Sequence, residues 1–300
     1  MGRRGGGAAG PDGLAVVDKD AGWTSHDVVA RSRRLLGTRK VGHSGTLDPD
    51  ATGVLLLGVG RVTRLLRYLG LTSKRYTGVV VLGTATSTLD AAGEITGTWD
   101  MGGIGLDDVR AAAAELTGDI LQIPPMVSAI QIDGRRLHEL AREGIEVERP
   151  ARPVTVHAFS VGEPVAPGCF PIEVECSSGT YIRSLAADVG TSLGGGAHLR
   201  DLRRTAIGTF TEAEAGALDD LTPEGLLNPA QAMRDLPTVT VDDDLATDVG
   251  HGKVLPNERL GVTGDGPWAV MGSDGTLLAV YEPHRAGTVK PGVVLSGADA

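Results

Sequence analysis

The feature that most restricts the fold of this chain is the shortness of its apolar segments. The longest apolar block, Val54–Val59, has six residues and contains Gly58. A helix that spans a membrane needs roughly 18 apolar residues, so the sequence argues against transmembrane helices. Glycine accounts for 44 of the 300 residues, about twice its usual ~7% share. We therefore expect short helices and strands that are joined by many tight turns.

The hydrophobic pattern predicts both strands and helices. Thr24 followed three residues later by Asp27 is a capping box, which predicts a helix that ends at Gly37. Since the two kinds of element do not alternate as βαβ units, we predict an α+β fold. The predicted strands are Leu14–Asp18, Val54–Val59, Tyr76–Leu82, Ile172–Cys176, Val239–Val241, Trp268–Met271 and Leu277–Tyr281, and further helices are predicted at Leu106–Leu116, Arg135–Glu143 and Tyr181–Leu193.

Proline and glycine divide the chain into segments. The first residues are rich in glycine and include two arginines without an apolar stretch behind them, which does not match a secretory signal. Pro223, Pro229 and Pro237 punctuate a later stretch that is typical of a domain boundary. We predict a disordered tail over 1–12, a large domain over 13–236 and a small β-rich domain over 237–300.

Cysteine usage favours a reduced, cytoplasmic protein. The only cysteines, Cys169 and Cys176, have a spacing that matches no usual zinc pattern. We interpret them as small core residues rather than as metal ligands or a disulfide. No metal or cofactor is predicted.

The charge is distributed unevenly along the chain. The net charge is -10, yet residues 31–75 contain ten Lys or Arg and two acidic residues, a local charge of +8. Residues 205–250 contain ten acidic residues and one arginine, a local charge of -9. A concentrated basic segment can steer a polyanion to an acidic protein. Two solvated faces of opposite sign explain the same pattern equally well.

The densest group of candidate functional residues lies between Val41 and Gly53. Three glycines in this segment indicate a loop whose backbone turns sharply or approaches a ligand closely. Asp48 precedes Pro49, which restricts it to an extended conformation. Such a carboxylate is a candidate nucleophile or base, although spacing alone favours an aspartate that caps a turn.

Three other motifs match this region only in part. Asp48, Asp50 and Thr52 fit the Asp-x-Asp-x-Thr pattern of aspartyl-phosphate phosphatases, but no apolar strand precedes them. The nucleophile-elbow pattern fails at Thr46, and the dinucleotide-binding pattern fails at Thr63. All three motifs are therefore weak indications.

Aromatic residues make up only 3% of the chain, so the position of each one is informative. Tyr76 follows two basic residues, and Tyr181 precedes Arg183 by two positions. An aromatic ring beside cations can stack on an unpaired base. Packing on the core with an exposed hydroxyl is an equally common role for tyrosine.

Several motifs together resemble the TruB family, the bacterial synthases that make pseudouridine at position 55 of the tRNA T-loop. The matching segments follow the order of that family over roughly residues 13–210. They are Asp18-Lys19 with Thr24-Ser25-His26-Asp27, Arg39 to Pro49 with Ala51-Thr52-Gly53, Tyr76 with Leu82 to Asp90, Gln122 to Pro125, Glu139 to Gly144, and Gly179 to Arg183 with Leu202-Arg203-Arg204.

The resemblance implies a pseudouridine synthase domain with a central mixed sheet and a C-terminal domain similar to the PUA type. It implies that Asp48 is the catalytic nucleophile, that Arg183 pairs with it, and that Tyr76 stacks on the target base and takes a proton from its C5 atom. His43 would help to displace the base, while Tyr181 and Leu202 would line the pocket. The partner would be the T-arm of tRNA, bound by a monomer without a cofactor.

Two departures from the family pattern lie near the expected site. Asp20 stands where the family usually has proline, and Asp50 stands where an apolar residue is usual. An ionised Asp50 would raise the pKa of Asp48 or compete for Arg183.

Two other functions stay open at this point. One is a tRNA-binding chaperone in which Asp50 has abolished useful catalysis. The other is a magnesium-dependent aspartyl-phosphate phosphatase that uses Asp48 and Asp50. A guide-RNA-dependent pseudouridylase shares the Asp48 motif, but long basic extensions are not present in the sequence.

Overall fold

A computed structural model describes residues 10–128, 130–132, 134–145 and 147–295. Of the tail predicted over 1–12, residues 1–9 lie outside this description. The described chain forms one ten-stranded sheet, one five-stranded sheet and two short hairpins, with helices packed on the sheets. The predicted α+β class is therefore confirmed.

The elements have the following bounds. The strands are β1 Gly13–Lys19, β2 Val41–Ser44, β3 Thr52–Val59, β4 Lys74–Leu82, β5 Thr84–Thr86, β6 Ile95–Thr98, β7 Gly118–Gln122, β8 Gln131–Ile132, β9 Arg135–Arg136, β10 Arg152–Val161, β11 Cys169–Cys176, β12 Ala197–Ile207, β13 Phe210–Thr211, β14 Gly216–Ala217, β15 Thr238–Thr240, β16 Leu255–Pro256, β17 Trp268–Met271, β18 Leu277–Pro283 and β19 Thr288–Val294. The helices are α1 Ser25–Leu35, α2 Leu66–Leu69, α3 Leu106–Glu115, α4 Leu137–Arg142, α5 Ile182–Ser192, α6 Pro229–Ala232, α7 Asp243–Gly250 and α8 Asn257–Leu260.

The large sheet is mixed, with strand order β14-β1-β3-β12-β4-β11-β10-β7. Strand β12 runs parallel to β3 and antiparallel to β4. Helix α5 packs on β12 and β4, and helix α3 packs on β10 and α5. Together they bury the largest apolar cluster of the described residues. This arrangement brings β4, β12 and the start of α5 together, and they carry three of the six predicted site residues.

Helix α1 forms as its capping box predicts. The Thr24 hydroxyl accepts a hydrogen bond from the backbone N–H of Asp27, while the Asp27 carboxylate accepts one from the N–H of Thr24. Val28 and Val29 are buried against β1 and β3, and Arg33 and Arg34 are exposed. Burial of each such apolar side chain stabilises the fold by about 1.5–3 kcal/mol.

The C-terminal sheet has strand order β15-β17-β18-β19-β16 and shares a hydrophobic core with the large domain. We call this shared core, together with the contacts of Arg61 and Arg64, the domain seam. Arg61 donates to the carbonyl oxygen of Leu295 at 3.1 Å, and Arg64 donates to that of Val294 at 2.9 Å. The apolar members of the seam include Leu56, Leu65, Phe210, Val280, Val293 and Leu295.

Several elements differ from the sequence prediction. Residues 42–44 belong to strand β2 rather than to the glycine-rich loop, and Arg135–Arg136 form a strand before helix α4 begins at Leu137. Strands β10 and β12 were not predicted. Cys169 and Cys176 are free and buried, as expected of core residues. In the described part of the chain, none of the helices combines the length and apolarity that crossing a membrane requires.

Candidate active site

The loop that carries Asp48 connects two paired strands. Strands β2 and β3 are antiparallel neighbours in the large sheet, and the loop over 45–51 joins them. Gly45 has φ +80°, a left-handed conformation that favours glycine. The loop thus leaves strand β2 through a turn that a side chain at position 45 would strain.

Three buried side chains hold this loop. Ser25 at the start of α1 accepts from the N–H of Leu47 at 2.9 Å and donates to its carbonyl oxygen at 3.2 Å. The Lys19 ammonium donates to the carbonyl oxygen of Pro49 at 2.9 Å. Arg204 donates to the carbonyl oxygen of Gly45 at 3.2 Å. The residues on both sides of Asp48 are therefore fixed by the body of the domain.

Asp48 forms a bidentate ion pair with Arg183, which lies in the first turn of α5. Nε of Arg183 is 2.9 Å from Oδ2 of Asp48, and its Nη2 is 3.0 Å from Oδ1. The Arg183 side chain is 5% exposed, and it also donates to the carbonyl oxygens of Thr88 and Val127. These four contacts fix the guanidinium plane and, through it, the orientation of the Asp48 carboxylate.

A second carboxylate shares the same guanidinium, and it is Asp90 rather than Asp50. Oδ2 of Asp90 is 3.5 Å from Nη1 of Arg183. Burial raises the pKa of Asp48, Asp90 adds to that rise, and Arg183 only partly opposes it. Asp50 is exposed and lines a neighbouring cavity of about 430 Å³ that Asp48, Asp90 and Arg183 also line. Among the described residues, however, the carboxylates that pair with Arg183 are those of Asp48 and Asp90.

Asp48 opens into a cavity of about 260 Å³. Five of the six predicted site residues line it or its rim: Asp48, Tyr76, Tyr181, Arg183 and Leu202. They come from the β2–β3 loop, strand β4, the residue before α5, helix α5 and strand β12. The sequence prediction thus names groups that the fold brings together from distant parts of the chain.

His43 does not line this cavity. It lies on strand β2, and its ring contacts that of His26 in a T-shaped arrangement with 5.4 Å between centroids. Burial, and then the neighbouring His26, lower the pKa of His43. A neutral His43 therefore lies beside the loop over 45–51 rather than within the pocket.

The two tyrosines are held in different ways. Tyr76 is 8% exposed on the central strand β4, and burial raises the pKa of its phenol while Arg204 opposes that rise. Tyr181 immediately precedes α5, and the buried side chain of Gln122 both accepts from its N–H at 2.7 Å and donates to its carbonyl oxygen at 3.1 Å.

Two buried cations, Lys74 and Arg204, complete the lining beside Tyr76. Lys74 donates to the carbonyl oxygens of Gly70 at 2.8 Å and Thr72 at 2.7 Å. Burial, with the nearby charge of Arg204, lowers the pKa of Lys74 to about 8. We call Lys74, Tyr76 and Arg204 the cationic side of the cavity. We call Asp48 and Arg183 its carboxylate side, together with Asp90, which pairs with Arg183 from the neighbouring cavity.

The basic segment over 31–75 is not one continuous binding face. Lys74 is buried, and Arg31, Arg61 and Arg67 form ion pairs with carboxylates. The pair of Arg31 with Asp219 joins this segment to the acidic one. Part of the charge contrast in the sequence is therefore neutralised within the fold.

Sequence patterns alone did not identify Asp90, Gln122, Lys74 or Arg204 as parts of the site. Asp90 and Gln122 occur within the family motifs, so the resemblance was the available indication. Arg204 also occurs within a family motif, while Lys74 was counted only as a basic residue beside Tyr76, and the burial of these two cations has no local sequence signature.

The arrangement suits chemistry on a flat ring that leaves its stack. A carboxylate oriented by an arginine can attack carbon as a nucleophile. A phenol beside a cation can exchange a proton, and the apolar Leu202 and Tyr181 can pack on a ring.

Family models match nearly the whole described chain. Residues 33–182 match the TruB family pseudouridylate synthase N-terminal domain, and residues 183–234 match the tRNA pseudouridylate synthase B C-terminal domain. Residues 236–296 match the tRNA pseudouridine synthase II C-terminal domain.

Curated relatives and solved structures agree with these matches. The chain is 50% identical to tRNA pseudouridine synthase B of Rhodococcus jostii over 92% of both chains. It is 47% identical to that of Thermobifida fusca over 95% of this chain and 99% of the relative. A Cbf5-Nop10-Gar1 complex contains a chain with TM-score 0.72 and 27% identity, with coverage of 92% of this chain and 80% of that one. A chain of an H/ACA RNP bound to a substrate RNA containing 2'-deoxyuridine has TM-score 0.68 and 26% identity, with coverage of 90% and 77%.

Proposed function

Because the chain belongs to the TruB family and is a tRNA pseudouridine synthase, we propose that it isomerises uridine 55 of the T-loop, with Asp48 as nucleophile. The resemblance stated from the sequence is thereby confirmed at the level of the family and of the reaction class. The observation that carries the finer proposal is the bidentate pair of Asp48 with Arg183 at a cavity that Tyr76 also lines.

The proposed reaction begins when the target base leaves the T-loop stack and enters the cavity. The Asp48 carboxylate attacks C1′ of the flipped-out nucleotide, and the N1–C1′ bond breaks as the base leaves as an anion that stays in the pocket. The base turns, and its C5 atom bonds to C1′ while the bond between C1′ and the Asp48 oxygen breaks, which restores the carboxylate. Tyr76 then takes the proton from C5, which leaves uracil joined to ribose through carbon.

Other side chains hold the base and the RNA. Tyr181 and Leu202 line the pocket around the base, and His43, beside the loop of Asp48, would help to displace the base from the T-loop. The partner is the T-arm of tRNA, and the reaction uses no redox step. One copy of the chain supplies every residue of the proposed site, which supports action as a monomer. A tRNA substrate supports a cytoplasmic location.

The test uses a T-arm RNA with tritium at C5 of the target uridine, in the presence of EDTA. We expect the native protein to release tritium to water and Asp48→Asn to release none, because the amide is a poor nucleophile. Asp50→Asn is the matched control, since it removes an exposed carboxylate two residues away and should retain release.

Each other outcome has a definite meaning. No release from the native protein, with RNA binding intact, would favour an RNA-binding chaperone. Release that requires magnesium would count against the proposed chemistry. Equal release from Asp48→Asn would remove Asp48 from the role of nucleophile.

A further inference from the structure

Arg204 and Tyr76 face each other across two neighbouring strands. They are opposite partners in the antiparallel ladder between β12 and β4, so their side chains emerge on the same face about 5 Å apart at Cβ. Both line the cavity that holds Asp48. Arg204 is 1% exposed and ranks among the largest fully buried side chains of the described protein.

The guanidinium of Arg204 is buried, and no carboxylate of the described residues pairs with it. It donates to the carbonyl oxygens of Val54 at 2.7 Å, Gly45 at 3.2 Å and Thr46 at 3.5 Å. None of the ion pairs among the described residues includes Arg204, whereas Arg203 beside it is paired with Asp18 and Glu212. A buried charge without a counter-ion costs free energy that hydrogen bonds to neutral carbonyls offset only in part.

Such a charge stabilises any anion that forms next to it. The group on the cationic side of the cavity that can become an anion is the Tyr76 phenol, and the charge of Arg204 is the largest influence that opposes the rise in its pKa on burial. The tyrosine side chain can act as a base only when it is ionised, as the phenolate. A cation on the adjacent strand raises the population of that form within a dry site.

Building on the proposed function, we propose that Arg204 is a positioning residue that holds Tyr76 ready to take the C5 proton of the rearranged base. It acts through the phenolate of Tyr76 and does not itself touch the reacting atoms. Arg204 thus has two effects. Its hydrogen bonds to Gly45 and Thr46 hold the loop of Asp48, and its positive charge lies on the strand beside Tyr76.

The proton step balances without a further reactant. Once C5 is bonded to C1′, it still carries its hydrogen, and the base has a double bond between C6 and N1. The phenolate oxygen takes the proton from C5. The electron pair of the broken C5–H bond forms the C5–C6 double bond, and the π pair of the C6–N1 double bond moves to N1. N1 takes a proton from water, and the Tyr76 phenol later returns its proton to solvent.

The test compares single-turnover pseudouridine formation on T-arm RNA with hydrogen or deuterium at C5 of the target uridine. We expect Arg204→Met to slow product formation about 100-fold, the usual scale for a lost general base, and to show a larger deuterium isotope effect than the native protein. Its rate should also rise with pH beyond the point at which the native rate levels off, because an unassisted phenol ionises at higher pH.

Arg203→Met is the matched control. It removes the neighbouring arginine of the same strand, which does not line the cavity and instead binds Asp18 and Glu212. We expect the native isotope effect in this variant. Should Arg204→Met not fold, Arg204→Gln keeps amide donors for the loop carbonyls and the same isotope comparison applies.

A purely structural role for Arg204 predicts other results. The variant would then lose stability, RNA affinity or rate, but its isotope effect and the shape of its pH profile would match those of the native protein. That outcome would overturn the inference while native activity stands. If the native protein forms no pseudouridine, the proposed function fails first, and the two failures are therefore distinguishable.

Discussion

The two sides of the active-site cavity stabilise their buried cations with different partners. On the carboxylate side, Asp48 and Asp90 share the guanidinium of Arg183. On the cationic side, Lys74 and Arg204 bond to main-chain carbonyl oxygens and to no carboxylate among the described residues. One side thus has an excess of negative charge and the other an excess of positive charge.

The difference determines which charged side chains each side of the cavity stabilises. Burial raises the pKa of Asp48 against the opposing charge of Arg183, and burial together with the charge of Arg204 lowers that of Lys74. Arg183 and Arg204 limit the cost of burial at the two atoms where the proposed reaction needs an anion, the Asp48 carboxylate and the Tyr76 phenol. A single cavity therefore supports a nucleophile and a base that work at different steps.

The largest expected effect comes from breaking the carboxylate side. Arg183→Met leaves Asp48 and Asp90 close together without their shared cation, so the pKa of Asp48 should rise further and the carboxylate should lose its orientation. We expect kcat to fall about 10²–10³-fold, the scale of losing one preorganised donor. Single-turnover assays across pH measure it, and Arg110→Met, a surface arginine of α3 that is 49% exposed, should keep native kcat.

The next effect concerns stability on the cationic side. The pKa of Lys74 is lowered to about 8 in the folded protein from 10.5, so between these values the unfolded chain binds a proton that the folded one does not. Stability from this group therefore rises with pH over that window. We expect the free energy of unfolding of the native protein, relative to Lys74→Met, to gain up to about 3 kcal/mol between pH 7 and 10.5.

Urea unfolding of both proteins at several pH values measures this difference. A difference that stays constant over the whole range would show that Lys74 remains charged inside the protein. It would also mean that the carbonyl oxygens of Gly70 and Thr72 compensate for burial more fully than we infer.

The smallest expected effect tests whether Asp50 belongs to the carboxylate side at all. Because Asp90 and not Asp50 faces Arg183, Asp50→Asn should leave the acid limb of the kcat profile in place. An exposed carboxylate beside a polyanion is worth less than about 1 kcal/mol, so KM for the T-arm should fall by no more than about fivefold. A shifted acid limb would instead place Asp50 in contact with the nucleophile.

The sequence predicted those parts of the fold whose reasons are local. The capping box of Thr24 and Asp27 placed the start of α1, and the apolar run Val54–Val59 placed β3 within two residues. Strand β12 was not predicted because the buried Arg204 interrupts its apolar alternation and because its register with β4 shifts twice. A polar residue that faces a functional cavity obscures the pattern of a strand.

Only part of the site could be predicted from the sequence. Spacing alone left Asp48 as either a nucleophile or a turn cap, and only the family resemblance joined it to Arg183, which is 135 residues away. Lys74 was counted with the surface cations of the segment 31–75. Its burial depends on the path of the chain at Gly70 and Thr72, which no local pattern encodes.

The domain seam has a consequence for how such a chain can be altered. Leu56 and Leu65, which follow the loop of Asp48 along the chain, pack in the same core as Val280 and Val293 of the C-terminal sheet. Arg64 donates to the carbonyl oxygen of Val294 at the end of β19, and Arg61 donates to that of Leu295, the residue after it. Replacing the segment after residue 236 with a different module would therefore require a redesign of the core of the large sheet, because side chains from both segments fill the same hydrophobic core.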